Sequence, residues 1–160
     1  MHLDKFHQIR DKNLMRIMGL DMGSHRIGVA ISDALGLTAQ ALKTIQRRSM
    51  ERDFEELDQI VRQFEVSQIV VGLPKNMNGT LGEQAEKVLK WIKTLEEKIH
   101  LPVSTWDERL STVGATRILL EADLSRKKRK KTIDRLAAAL ILQGYLDCYR
   151  QRNDDPTFPT

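Results

Sequence analysis

Cysteine is almost missing: Cys148 is the only one in 160 residues, which rules out an internal disulfide and any cysteine-based zinc site. Long apolar runs are missing too. No stretch approaches the roughly 20 residues of a membrane-spanning helix, so no membrane partner is expected. Histidine is sparse, and His2, His7, His25 and His100 are too scattered to share a metal. Residues 1–15 lack the apolar core of a secretory signal and are expected to form an N-terminal extension. No internal repeat and no linker divides the chain. These absences leave a single cytoplasmic domain over 16–150, with a flexible tail over 151–160. At 41% hydrophobic, it can bury one sizeable core.

Charge is plentiful but uneven. The formal net charge is +4, yet residues 125–135 alone hold Arg126, Lys127, Lys128, Arg129, Lys130, Lys131 and Arg135 against Asp134. Setting these aside from the 26 basic and 22 acidic residues leaves 19 and 21, a formal −2. The positive charge is therefore one local patch. Such patches commonly meet phosphates, although a solvated loop would have the same composition.

The pattern of apolar residues predicts an α/β domain with a mixed sheet. Residues 17–20 and 27–31 are strand-like runs around the turn Asp21-Met-Gly-Ser-His-Arg26, with Gly23 expected to supply a positive φ. A third strand is expected over 37–45, entered through Gly36. Phe54, Leu57, Ile60, Val61 and Phe64 recur at helical spacing over 51–65, where Ser49 can cap. The run 68–72 predicts a strand covered on both faces, followed by a loop over 73–82 and a helix over 83–99. A fifth strand over 102–106, a helix over 111–122 and a last helix over 133–149, capped by Thr132, complete the order. Ala137, Ala138 and Ala139 imply close packing of that last helix. Trp91, Trp106 and Cys148 are expected to pack inside.

Three acids stand where chemistry can occur. Asp21 ends the first strand, Glu108 follows the fifth, and Asp134 falls in the expected first turn of the last helix. Two of them also have a structural explanation: an Asx turn for Asp21, and the helix dipole for Asp134. Together with the basic stretch they form a carboxylate cluster beside a phosphate-attracting patch. Metal-dependent cleavage of a phosphodiester needs that combination, with one or two Mg²⁺ (or Mn²⁺) ions held by the acids and water as nucleophile. Gly79 and Gly82 would let backbone N–H groups approach an anion, with Lys75 adding a charge.

Four motifs carry a resemblance. They are Leu20-Asp-Met-Gly with Arg26-Ile-Gly-Val-Ala-Ile-Ser-Asp33, Val71-Gly-Leu-Pro-Lys-Asn-Met-Asn-Gly-Thr80, Asp107-Glu-Arg-Leu-Ser-Thr112, and Ile133-Asp-Arg-Leu-Ala-Ala-Ala-Leu-Ile-Leu-Gln143. In this order, over roughly residues 16–149, the chain resembles the YqgF/RuvX family of Holliday junction resolvases, also implicated in maturing the ribosomal RNA precursor. The resemblance implies an RNase H-like fold, a five-stranded mixed sheet whose first three strands are antiparallel, flanked by helices. It places the acidic, metal-holding site on Asp21, Glu108 and Asp134. Lys75, Asn76, Gly79 and Arg109 would contact substrate, beside the basic residues 126–131. His25 and Asn78 stand where the family often has lysine and aspartate.

The function implied is a metal-dependent endonuclease on structured nucleic acid, either branched DNA or the ribosomal RNA precursor. A homodimer on a four-way junction would supply two sites. A phosphotransferase of the actin-like type would need a second domain. A non-catalytic nucleic-acid-binding factor in transcription or ribosome assembly would need the basic patch but not the acids.

Overall fold

The computed structural model describes residues 16–110 and 126–154. Strands β1 (Arg16–Met22), β2 (Arg26–Ser32) and β3 (Ala39–Gln46) run in sequence, followed by helix α1 (Met50–Gln63) and strand β4 (Val66–Leu73). Helix α2 (Glu83–Ile99), strand β5 (Val103–Asp107), a 3₁₀ turn (Glu108–Leu110) and helix α3 (Arg126–Asp154) complete the described chain. The sheet order is β3-β2-β1-β4-β5. The pairs β1·β2 and β2·β3 are antiparallel, while β1·β4 and β4·β5 are parallel. This is the mixed sheet expected.

Pleating sends alternate side chains of each central strand to opposite faces. Met18 and Leu20, Ile27 and Val29, and Ile69 and Val71 join Phe54, Leu57 and Ile60 of α1 and Val88, Trp91 and Leu95 of α2 in one core. Ile17, Ala30 and Val70 face the other way and pack on Ala137, Ala138, Ile141, Leu142 and Leu146 of α3. Helix α1 is capped as expected, with the Ser49 hydroxyl accepting from the Arg52 N–H at 3.2 Å. Both α1 and α2 match their expected spans closely, because each carries an unbroken apolar face.

Several expectations are corrected. The β1–β2 turn is closed by the Gly23 N–H donating to the Arg26 carbonyl at 2.8 Å, but Gly23 is not at positive φ. Glycine is needed there for space: a Cβ would lie 2.9 Å from the Arg26 carbonyl oxygen. The last helix starts at Arg126, not near 133, so Thr132 lies within it and does not cap it. Lysine and arginine are good helix formers, and here that propensity prevails over their unfavourable place at the positive end of the dipole. The helix also continues to Asp154, into the segment expected to be tail. The helix expected over 111–122 lies outside the described residues.

Helix α3 approaches the sheet where strands carry no side chain. A Cβ on Gly19 would meet Leu142 Cβ at 2.7 Å and the Ala138 carbonyl oxygen at 3.0 Å. On Gly28 it would overlap the Asp134 carbonyl. Backbone cannot yield as a flexible side-chain end can, so Gly28→Ala is expected to destabilise by about 3 kcal/mol, despite the better strand propensity of alanine. Urea unfolding measures this, and an unchanged midpoint would show that α3 does not rest on Gly28.

Candidate active site

Asp21 lies inside β1, opposite Gly28 of β2 in the antiparallel register, and is only 7% exposed. Residues in such register share a face. Gly28 abuts the Asp134 carbonyl, so the backbone of Asp134 in α3 is seated against β2 at the residue that pairs with Asp21. Glu108 follows β5 in the 3₁₀ turn, and its Oε1 would be 2.8 Å from a Cβ on Gly72 of β4. Val71, the residue before Gly72, is the register partner of Leu20 on β1. The three acids are therefore brought to one end and one face of the sheet. Glycine at positions 28 and 72 makes that possible.

Their present arrangement is not a closed metal site. Among the described residues, no group of three His, Cys, Asp or Glu is placed to hold a metal ion. Asp134 Oδ2 instead accepts from Arg26 Nε at 2.7 Å, with the two side chains 20% and 25% exposed. The donor chemistry suits Mg²⁺ or Mn²⁺, since all three acids offer hard carboxylate oxygens. Coordination by Asp134 would require its carboxylate to exchange Arg26 for the ion. Asp134 also lies deep in α3 and not in its first turn, so the helix dipole does not account for it.

The loop between β4 and α2 is a small self-bonded hairpin. Lys75 and Leu81 form an antiparallel bridge, and the Asn76 N–H donates to the Thr80 carbonyl at 3.0 Å. Gly79, at φ +86, donates its N–H to the Asn76 carbonyl at 2.8 Å, which uses a group expected to face an anion. Asn78 is occupied within the loop, accepting from the Thr80 N–H at 3.1 Å and from its hydroxyl at 2.6 Å.

Arg109 clamps this loop to the sheet. Its Nη2 donates to Asp107 Oδ2 at 2.7 Å, its Nε contacts both Asp107 oxygens at 3.1 Å, and its Nη1 donates to the Met77 carbonyl at 3.3 Å. A Cβ on Gly79 would come within 3.3 Å of that guanidinium. Lys75 Nζ stands 3.9 Å from the same Asp107 carboxylate. Lys75, Asn76, Gly79 and Arg109 thus lie together at the end of β5. Arg126, Lys127, Lys128, Arg129, Lys130 and Lys131 form the opening turns of α3, ahead of Asp134.

Two participants escaped sequence reasoning, Arg26 and Asp107. Both stood in quoted motifs, yet nothing in their spacing identified their partners. Gly28 and Gly72 left a clearer signal, since glycine inside an apolar strand marks a close approach.

The model of the family described as RuvX, Holliday junction resolvase, matches residues 15–148. The chain belongs to the RuvX family. Relatives in Desulforamulus reducens and Clostridium kluyveri, each bearing the name "Putative pre-16S rRNA nuclease", are both 61% identical over 133 residues, covering 83% of this chain and 97% of theirs. Among solved structures, Thermus thermophilus RuvC in complex with a Holliday junction has a TM-score of 0.53 at 16% identity, covering 84% of this chain and 96% of that one. The fowlpox virus resolvase with its junction DNA gives 0.52 at 11% identity, over 84% and 99%. These likenesses establish the RNase H-like fold of the RuvX chain. No helix among the described residues is long and apolar enough to cross a membrane.

The Arg109 clamp has a pH signature. Hydrogen bonding from Arg109 holds the Asp107 carboxyl below its ordinary 3.8, outweighing the opposing effect of desolvation. The clamp therefore contributes stability that is fully present above pH 3.8 and is lost as pH falls through the lower folded-state value. Carboxyl NMR titration should find Asp107 below 3.8 in the native chain and higher in Arg109→Gln. An unshifted Asp107 would contradict the clamp.

Proposed function

We propose that the chain is a divalent-metal-dependent endonuclease acting on structured nucleic acid, either the precursor of the small-subunit ribosomal RNA or four-way DNA junctions. The observation that carries this reading is the shared face of Asp21, Glu108 and Asp134, opened by Gly28 and Gly72. The names of the relatives support the RNA precursor, and the family description supports the branched DNA. Asp21, Glu108 and Asp134 would hold one or two Mg²⁺ or Mn²⁺ ions. When bound, these supply Lewis-acid charge at the phosphate and make water acidic enough to serve as nucleophile.

The chain's own residues supply the rest. Asp21 brings a largely buried negative charge, which a cation stabilises. Arg26 pairs with the Asp134 carboxylate until an ion takes its place. Lys75, Asn76, Gly79 and Arg109 would meet the strand at the clamped loop. The basic residues 126–131 would attract the phosphate backbone, which positions the polymer without reading its sequence. A homodimer on substrate, giving two cuts across a four-way junction, and a cytoplasmic location belong to the same reading.

A second reading is a nucleic-acid-binding factor without catalysis. The Arg26–Asp134 pair, which engages one of the three acids with a cation of the chain itself, favours it.

Labelled precursor ribosomal RNA fragments and four-way junctions, incubated with Mg²⁺ or Mn²⁺, separate the two. The nuclease reading expects cleavage that EDTA stops and that Asp21→Asn lowers at least about 100-fold while binding persists. Tight binding with no cleavage under either metal, unaffected by Asp21→Asn, would instead establish the binding factor.

A further inference from the structure

Beside the β4–α2 loop lies a cavity of about 660 Å³ whose lining includes none of the three acids. Its walls come from the β1–β2 turn (Met22, Gly23, Ser24), the segment after β3 (Arg47), the β4–α2 loop (Pro74, Lys75, Asn76) and the opening turns of α2. It sits at the carboxyl ends of β1 and β4, where the connections diverge: β1 turns back to β2, while β4 crosses through α2 to β5. In open α/β sheets that crevice is where ligands gather.

The lining has the chemistry of an anion site. Arg47, Lys75 and Lys87 enter it from three separate elements, against the single acid Glu83, whose side chain is 87% exposed. Each cation meets its carboxylate partner only at long range: Arg47 to Asp53 at 3.9 Å, Lys75 to Asp107 at 3.9 Å and Lys87 to Glu83 at 3.8 Å. Arg47 is also fixed in place, because its Nη1 donates to the Gly23 carbonyl at 2.9 Å and so ties the cavity wall to the β1–β2 turn. Helix α2 begins at this cavity with Gly82 as N-cap and no side-chain cap, so no hydroxyl or carboxylate of the cap residue covers its positive end.

We propose that this cavity binds the phosphate of a nucleotide unit, held by Arg47, Lys75, Lys87 and the start of α2. Its two possible sources share that chemistry: a phosphodiester of the nucleic-acid strand as it runs on from the acidic face, or a free nucleotide. The strand is the source consistent with the proposed nuclease, and that part of the inference rests on it. A strand crossing the edge of the sheet would meet the acids on the α3 face and these cations on the α2 face.

Two variants probe the cavity without disturbing the fold. Lys87→Glu alters a side chain that is 73% exposed. Gln84→Glu places a negative charge in the first turn of α2, which favours the helix but repels a phosphate. With divalent metal omitted, anisotropy of a labelled single-stranded oligonucleotide should show affinity falling roughly ten-fold in each variant, with a shallower salt dependence. Amide NMR of the full chain should show adenosine monophosphate shifting Gly23, Gly82, Glu83 and Gln84. If adenosine monophosphate shifts these amides while oligonucleotide affinity is unchanged in both variants, the cavity takes a free nucleotide. If neither probe responds, the phosphate site is overturned. The nuclease reading fails separately: a wild-type chain that cleaves nothing, yet whose cavity amides still respond, keeps the site and loses the nuclease.

Discussion

Helix α3 can lie against the sheet only because Gly19, Gly28 and Gly72 remove the Cβ atoms that would otherwise stand between them. Protein interiors are packed tightly enough that a single methyl group at such a contact has to be accommodated by the backbone. At Gly28 the neighbour is the Asp134 carbonyl, and at Gly72 it is the Glu108 carboxylate together with Ile141. The same contacts that bury Ile141 and Leu142 therefore set where two of the three acids stand relative to Asp21. Core packing and placement of the candidate active site are one event in this fold.

Charge is divided across the sheet edge in a way that suits a polyanion. Acids occupy the α3 face, where Asp134 is balanced by Arg26, and cations line the α2 face. Asp107 joins the two, since Arg109 and Lys75 both approach its carboxylate and Arg109 also holds the Met77 carbonyl of the loop. The loop is consequently bonded both to itself and to the end of β5. It is a bonded hairpin, not an open strand of turn residues.

Much of this was legible in the sequence, for physical reasons. The strands and α1 and α2 announce themselves through two-residue and helical periods, and Asp21, Glu108 and Asp134 fall at strand or helix positions that topology gathers at one edge. The start of α3 was not legible. Thr132 is a good cap residue and six consecutive basic residues look like a solvated loop, yet their helix propensity carries the helix back to Arg126. Gly23 was assigned a positive φ when the real constraint is the nearby Arg26 carbonyl. Partner choice was hidden as well: Arg26 lies 108 residues from Asp134, and no local pattern reports a contact of that range.

In the proposed nuclease, α3, seated on glycine, would present Asp134 to the same ion as Asp21 and Glu108. Anomalous diffraction from crystals of the full chain soaked in Mn²⁺ tests it most directly. The account predicts a manganese peak bounded by the carboxylates of Asp21, Glu108 and Asp134, with Arg26 displaced from Asp134. Crystals saturated with Mn²⁺ that keep the Arg26–Asp134 pair intact, and show no peak between the three acids, would contradict it.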